Sequence, residues 1–251
     1  MNLTKILCIP DIQAPKHDET AVSTAVSIVK GEKPDILLHI GDLVALDSVS
    51  TYAKTNWQEA LETADTEIAS ANLILDRFDQ ATPRKTKTIF LEGNHEERLL
   101  KWAVKFAIKL GPRFKGLNIE DQLYLEKRGY KFVRTANQPY NIGKIGFCHG
   151  WYANIHHAKA TVEKGGQSLM YGHTHDAQSF TGMHLDSEQP RMAQSIGCLC
   201  KYKQAYLNGR PANWIHGVGI VYVDEKTGRF WPAFHPIIGG ECVINGRCYG
   251  T

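Results

Sequence analysis

Thr88-Ile-Phe-Leu-Glu-Gly-Asn-His-Glu-Glu97 decides the fold of this chain. Thr88–Leu91 is a short apolar run suited to a buried strand, and Gly93-Asn94 fits a tight strand-to-helix turn. Upstream the pattern occurs twice more. Asp35–Ile40 (DILLHI) runs straight into Gly41-Asp42, and Lys5–Pro10 ends at Asp11. Helical patterns separate these runs. Asp18–Lys30 carries Val22, Ala25, Val26 and Val29 on one face, with Asp18 as N-cap and Gly31 as stop. Trp57, Leu61, Ala64, Ile68, Ala71, Leu75 and Phe78 recur at steps of four and three, predicting one long amphipathic helix. Strand, helix, strand, helix, strand implies parallel pairing in an α/β sheet.

Downstream, Lys144–Cys148 and Ser168–Tyr171 read as strands that each run into a histidine motif. Ala193–Ile196, Gly217–Val223, Arg229–Phe234 and Glu241–Ile244 follow as strands, and Asp224–Gly228 has the composition of a hairpin turn. Thr181–Arg191 (TGMHLDSEQPR) has loop composition. Without repeats, low-complexity tracts or a linker, residues 1–251 read as a single domain.

Composition sets limits on the class. The chain is 43% hydrophobic and 22% charged, which excludes a disordered, collagen-like or coiled-coil protein. A net charge of +3 does not by itself call for a nucleic-acid partner. No run approaches the roughly 20 apolar residues of a membrane helix. The apolar stretch Ile6–Pro10 is too short for a secretory signal, so a cytoplasmic protein is expected. Cys198-x-Cys200 and Cys242-x5-Cys248 could meet as a thiolate metal site, but their spacing is not that of a usual zinc knuckle. Free, mostly buried thiols, with Cys8 and Cys148 among them, are the preferred reading.

The chemistry gathers where strands end: Asp11, Asp42, Asn94-His95, His149 and His173-x-His175. Open α/β sheets place ligands at the carboxyl ends of their strands. This set of carboxylates, amide and imidazoles suits Mn²⁺, Fe or Zn²⁺. Two such ions roughly 3.5–4 Å apart can clamp a phosphate and lower the pKa of a water between them. Singly, a Gly-Asp is most often a turn, and a His-x-His is often one face of a strand. Their joint occurrence, in this order and each after an apolar run, is what discriminates.

In that order the sequence resembles the calcineurin-like metallophosphoesterases. The motifs read PDIQ (10–13), GDLVALD (41–47), GNHEE (93–97), CHGW (148–151) and GHTH (172–175), within residues 5–176. GNHEER and the Trp214-x-x-Gly217 stretch look like the compact phage-borne members. The resemblance implies an α/β fold with a two-sheet β-sandwich flanked by helices, and the strand-rich tail is compatible with its second sheet. It also implies two divalent metal ions, Mn²⁺ foremost, with Fe, Zn, Mg and Ni as alternatives. Asp11 and His175 would hold the first ion, Asp42 would bridge both, and Asn94, His149 and His173 would complete the second. His95 would face the phosphate and stabilise or protonate the leaving oxygen, while a bridging hydroxide attacks phosphorus in line. Gln13 stands where the family usually has histidine. Its amide oxygen, a harder ligand, would favour Mn²⁺ over Zn²⁺; some nucleotide-cleaving relatives carry glutamine here. The alternative is that Gln13 binds nothing and the first ion is lost, while His17 is expected to be exposed or to cap a helix.

The residues after GNHEE suggest a substrate. Arg98, Lys101, Lys105, Lys109 and Arg113 recur at steps of three or four, and Leu99, Trp102, Val104, Phe106 and Ile108 occupy the other faces. Arg98, Lys101 and Lys105 are candidate substrate-binding residues that could track a phosphate backbone; a solvated helix face is the plainer reading. Trp57, Trp151, Tyr152 and Trp214 could stack bases or simply pack. His156 and His157 are expected as surface residues of a helix. No arginine follows Asp42 in LVALDSVS, which disfavours a phosphoprotein substrate, and Asp47 reads either as a group behind the site or as helix-start chemistry. The leading expectation is a phosphodiesterase or nuclease acting on nucleic acid or nucleotides. The alternatives are a phosphomonoesterase or nucleotide pyrophosphatase on small substrates, and a non-catalytic scaffold.

Overall fold

The computed structural model describes residues 2–51, 61–107, 117–183, 189–204, 207 and 209–250. Its first sheet grows from three parallel strands whose residues are buried on both faces: β1 (Leu3–Ile9), β2 (Ile36–His39) and β3 (Lys87–Leu91). Ile6, Cys8, Leu38, Ile89 and Leu91 point to one side, and Leu7, Ile9, Leu37 and Phe90 to the other. The apolar runs are therefore continuous, as burial between two layers requires. On the second side pack α1 (Glu19–Glu32) and α2 (Ala64–Ala81), through residues such as Val22, Ile28, Ala71, Leu75 and Phe78.

On the other side lies a second sheet. After α3 (Glu96–Trp102), a π-helical turn (Ala103–Ala107), α4 (Ile119–Gln122) and β4 (Tyr130–Val133), the chain enters β5 (Tyr140–Ile142), β6 (Ile145–Cys148) and, past α5 (His157–Gly165), β7 (Ser168–Tyr171), β8 (Ser179–Gly182) and β9 (Arg191–Ser195). Their order is β5-β6-β7-β9-β8. Ile145, Phe147 and Met170 meet the inner face of the first sheet, while Ala158 and Val162 of α5 cover Leu169, Tyr171 and Ala193 on the outer face. The result is helix, sheet, sheet, helix. Among the described residues no helix is long and apolar enough to cross a membrane.

Four expectations are corrected. Of the strand-rich tail only its first strand, β9, lies in the second sheet, and the later strands do not extend it. β10 (Gly217–Asp224) pairs antiparallel with β1, and β11 (Phe230–Pro236) with β10, giving the first sheet the order β11-β10-β1-β2-β3-β4. Burial decides this: β10 is apolar on both sides and fills the edge that β1 leaves open. The long helix is interrupted, because Thr63 adopts extended backbone and accepts Thr66 N–H in a capping box, so α2 begins at Ala64 and Leu61 is 76% exposed. Trp57 lies outside the described residues. α1 does not stop at Gly31 but at Lys33, which takes a left-handed conformation (φ 48°). Gly31 instead makes room for Tyr249, whose ring carbon would lie 2.4 Å from an added Cβ. Finally, the two ends of the expected loop, Thr181–Gly182 and Arg191, belong to β8 and β9, which pair antiparallel; residues 184–188 lie outside the described set.

His39, at the end of β2, sits among the rings of Phe78, Phe90 and Tyr130, 5.1–5.9 Å away. Burial depresses its pKa from 6.5 to about 3. Between those values only the unfolded chain takes up the proton. Stability is therefore retained above about pH 6.5 and lost as pH falls towards 3, by about 1.4 kcal/mol per unit. In urea unfolding at pH 7 and pH 5.5, the wild type should lose about 1.2 kcal/mol more than His39→Leu. Equal losses in the two proteins would contradict this account of His39.

Candidate metal centre

The strand ends are shaped by loops that only a few residues can form. Gly41 (φ 99°) brings its backbone so close to Gly93 that an added Cβ would lie 2.6 Å from Gly93 N. Between these loops lies Glu96, fully enclosed at the start of α3. Its carboxylate accepts the backbone N–H groups of Asp42 (2.7 Å), Leu43 (2.9 Å), Val44 (3.3 Å) and Gly93 (2.9 Å). Of the eight non-glycine residues with positive φ among those described, four are Gln13, Asp42, His173 and His175. Such conformations cost of order 1–3 kcal/mol each and persist where the surroundings over-determine them.

These loops turn the polar side chains into one buried space. Asp42 Oδ1 accepts His95 N–H at 2.8 Å, and Asp42 Oδ2 lies 3.2 Å from His149 Nε2. Asn94 Oδ1 is 2.9 Å from the same His149 nitrogen, and His149 Nδ1 donates to Ile40 O at 3.1 Å. Ligand atoms of Asp42, His149 and His173 all lie within 4.8 Å of one another. Beside them, Asp11 Oδ1 accepts His173 N–H at 2.9 Å and Asp11 Oδ2 contacts His175 Nε2 at 3.0 Å. The buried Gln13 amide reaches that His175 nitrogen at 3.3 Å. Burial would raise the pKa of Asp42, but the imidazoles of His149 and His95 hold it well below the usual carboxylate range. His95 Nε2 is 3.6 Å from Asp42 Oδ2 and 2.8 Å from the Arg98 guanidinium. Burial and Arg98 depress the His95 pKa against the pull of Asp42.

Two carboxylates, two amides and four imidazoles thus converge from the ends of β1, β2, β3, β6 and β7. The calcineurin-like phosphoesterase family model matches residues 4–177, most of the chain. This chain belongs to the calcineurin-like phosphoesterases. Two relatives are the Gene 54 proteins of Mycobacterium phages D29 and L5, 26% and 25% identical, each alignment covering 98% of this chain and 98% of the relative. Vacuolar Protein Sorting 29 from Cryptosporidium parvum is a structural neighbour, with 12% identity, TM-score 0.48, and 99% and 96% of the two chains covered. As a phosphoesterase of this family the chain is a metal-dependent phosphoester hydrolase. Its donors suit divalent cations: carboxylate, amide oxygen and imidazole within a few ångströms, held by backbone bonds, with Asp11, Gln13, Asp42, His149 and His175 buried and Asn94, His95 and His173 partly exposed.

The structure redistributes several residues around this phosphoesterase centre. Arg98 turns inward, bonding Ala45 O (2.8 Å) and Asp47 as well as His95, and Lys16 pairs with Asp47 from the other side. Asp47 is therefore a group behind the site. Lys101 points outward and pairs with Glu97, and Lys105 lies over the Phe106 ring. The α-helix ends at Trp102 and gives way to the π-helical turn, so Lys105 does not continue a simple α-helical stripe. Lys109 and Arg113 lie outside the described residues. Trp214 packs edge-on against His175, with centroids 4.3 Å apart, while Trp151 and Tyr152 are half-buried.

His157 corrects an expectation: it is buried, whereas His156 is exposed. His157 Nε2 contacts Asp176 at 3.0 Å and Nδ1 contacts the Tyr171 hydroxyl at 2.7 Å. Asp176 also accepts from Thr174 and Asn213, which braces the His173–His175 loop from behind. Sequence reasoning missed Asp176 and the bonding role of Glu96. The only signal was their position, one residue after a histidine motif in each case. His17 is half-buried beside Glu19, and Asp18 caps α1.

Burial would lower the pKa of His149, but the carboxylates of Asp42 and Asp11 push it up to about 10. Without a cation the ring is doubly protonated at neutral pH, so a cation at Nε2 must displace a proton. Mn²⁺ affinity, measured by calorimetry, should therefore rise roughly tenfold per unit between pH 6 and pH 9. An affinity independent of pH would remove His149 from the ligand set.

Proposed function

We propose that this phosphoesterase cleaves phosphodiesters, acting on nucleotides or single-stranded nucleic acid. Asp11, Gln13 and His175 would hold one ion with Asp42, and Asp42, Asn94, His149 and His173 the other. When bound, two divalent ions supply the positive charge that polarises the phosphoryl group and lowers the pKa of a water molecule. The harder Gln13 amide supports Mn²⁺.

The observation that carries the diester reading is that two clefts adjoin the cluster. One, of about 730 Å³, is bordered by His173, Thr174, Asn154 and Asn213; the other, of about 270 Å³, by Asn94, His149, Glu97 and Trp151. A diester has two arms to accommodate, a monoester one. Charge favours the same choice. The described cation nearest His95 is Arg98, whose charge is already met by Asp47, which suits a singly charged diester better than a dianionic monoester.

Nucleic acid is supported by the segment that leaves the site. Trp102 and Phe106 are 38% and 55% exposed with centroids 5.6 Å apart, and exposed Lys101 and Lys105 lie between and beside them. Aromatic faces that stack bases, interleaved with cations that meet phosphates, are what a single strand requires. His95 would present its ring to the leaving oxygen, held by the Asp42 bond to its backbone N–H and by Arg98. The two phage relatives support a cytoplasmic location in an infected cell.

In Mn²⁺, bis-p-nitrophenyl phosphate should be cleaved faster than p-nitrophenyl phosphate, and His95→Ala should lower kcat by roughly 10²–10⁴. The Trp102→Ala/Phe106→Ala protein should raise KM for a single-stranded oligonucleotide about tenfold or more, and for the small diester far less. Preference for the monoester would overturn the diester reading. An oligonucleotide that is neither cleaved nor competes would overturn the nucleic-acid reading.

A further inference from the structure

A second set of donors adjoins the centre and shares one residue with it, His175; the other two have no part in the chemistry above. One ring nitrogen of His175 and the sulfurs of Cys198 and Cys200 lie within 4.8 Å of one another, and all three residues are buried. The backbone explains why. The segment after β9 is wedged between the Asp11 loop and residues 215–216, with Leu199 N–H bonded to Asp11 O and Cys198 N–H to Ile215 O (2.9 Å). In such an extended stretch residues i and i+2 share a face. Leu199 packs into the helix-side core, while Cys198 and Cys200 turn towards His175. The His175 ring then stands between two environments. Its Nε2 faces Asp11 and Gln13, and its Nδ1 faces Cys200 Sγ at 3.7 Å.

We propose that His175, Cys198 and Cys200 form a binding site for a thiophilic d¹⁰ cation of the Zn²⁺ or Cd²⁺ class, with a fourth position left for a small ligand. The spacing suits the ion. A tetrahedral centre roughly 2.3 Å from sulfur and 2.0–2.1 Å from nitrogen has a sulfur-to-nitrogen edge of roughly 3.6 Å, close to the 3.7 Å seen between Cys200 and His175. Cys242 and Cys248 take no part. They lie on β12 (Cys242–Ile244) and β13 (Arg247–Tyr249), a separate hairpin, so the two cysteine pairs do not join in one thiolate site.

Occupation would have a consequence for turnover, and only this step rests on assigning His175 to the first phosphoesterase ion. A neutral imidazole has a single nitrogen lone pair. A cation on Nδ1 leaves the proton on Nε2, where it donates to Asp11 Oδ2 and withdraws the ring from the Asp11–Gln13 side. A thiophilic ion should therefore inhibit Mn²⁺-supported hydrolysis.

The deciding experiment is zinc-edge X-ray absorption of the wild-type protein carrying one equivalent of Zn²⁺ in excess Mn²⁺. Two sulfur neighbours at about 2.3 Å are expected, and a shell of nitrogen and oxygen alone would overturn the proposal. In a Cd²⁺ titration, Cys198→Ser and Cys200→Ser should each lower affinity about 100-fold or more and remove most of the ultraviolet thiolate charge-transfer band. Cys248→Ser, at the exposed thiol, should leave the band unchanged. A band that survives in the Cys198→Ser/Cys200→Ser protein would also overturn it. The wild-type spectrum requires no variant to fold. Zinc–sulfur bonds in a protein that hydrolyses nothing in Mn²⁺ would leave the site standing and sink the diester reading; hydrolysis without such bonds would do the reverse.

Discussion

A buried carboxylate with four backbone donors is the contact on which the rest of the centre depends. Glu96 receives N–H groups from the loop after β2 and from the loop after β3, so two strand ends separated by some fifty residues are tied to one side chain. Burial and the Asp42 charge push the Glu96 pKa up to about 8, and four hydrogen bonds of about 0.5–1.5 kcal/mol each still sum to a few kcal/mol. That scale is comparable to the strain of the left-handed Asp42 and the close Gly41–Gly93 approach. With the loops joined, the Asp42 carboxylate is aimed at His149 while its other oxygen holds the His95 backbone. A single bonding arrangement therefore positions both the central carboxylate and the histidine beside it.

The same logic extends across the second sheet. His173 and His175 sit in left-handed conformations that turn their rings back over the strand ends, and Asp11 captures one through its backbone and the other through its ring. Behind them Asp176, bonded to His157, Thr174 and Asn213, keeps that loop from relaxing. Preorganisation of this kind spares the hydrolase a rearrangement when cations and substrate arrive.

The two sides of the centre differ in character. Around Asp42, Asn94 and His149 the donors are oxygen and imidazole; around His175 they grade from the Asp11 carboxylate and Gln13 amide to the thiols of Cys198 and Cys200. His175 lies at the boundary, with one nitrogen facing each, and Trp214 covers its ring. The Gln13 amide makes one side of that ring a harder environment, and the cysteines make the other softer.

By itself the sequence determined the three parallel strands, their order with the helices, and the residues that end them. Runs such as Leu37-Leu38 and Ile89-Phe90-Leu91 are buried on both faces, and tight turns with glycine are local features, so both are legible within a few residues. What lay beyond it was which neighbour each side chain meets. Arg98 continues a basic row in sequence, yet a carboxylate at position 47 draws it inward beside His95. His157 looks like a surface residue of a helix until Tyr171 and Asp176 close over it. β10 could have joined either sheet, and the open edge of β1, more than two hundred residues away, decided the matter. Cys198 and Cys200 reach His175 only because the Asp11 loop and Ile215 hold their segment extended. Periodicity reports the faces of one element; the partners of those faces come from distant parts of the chain, and only tertiary packing brings them together.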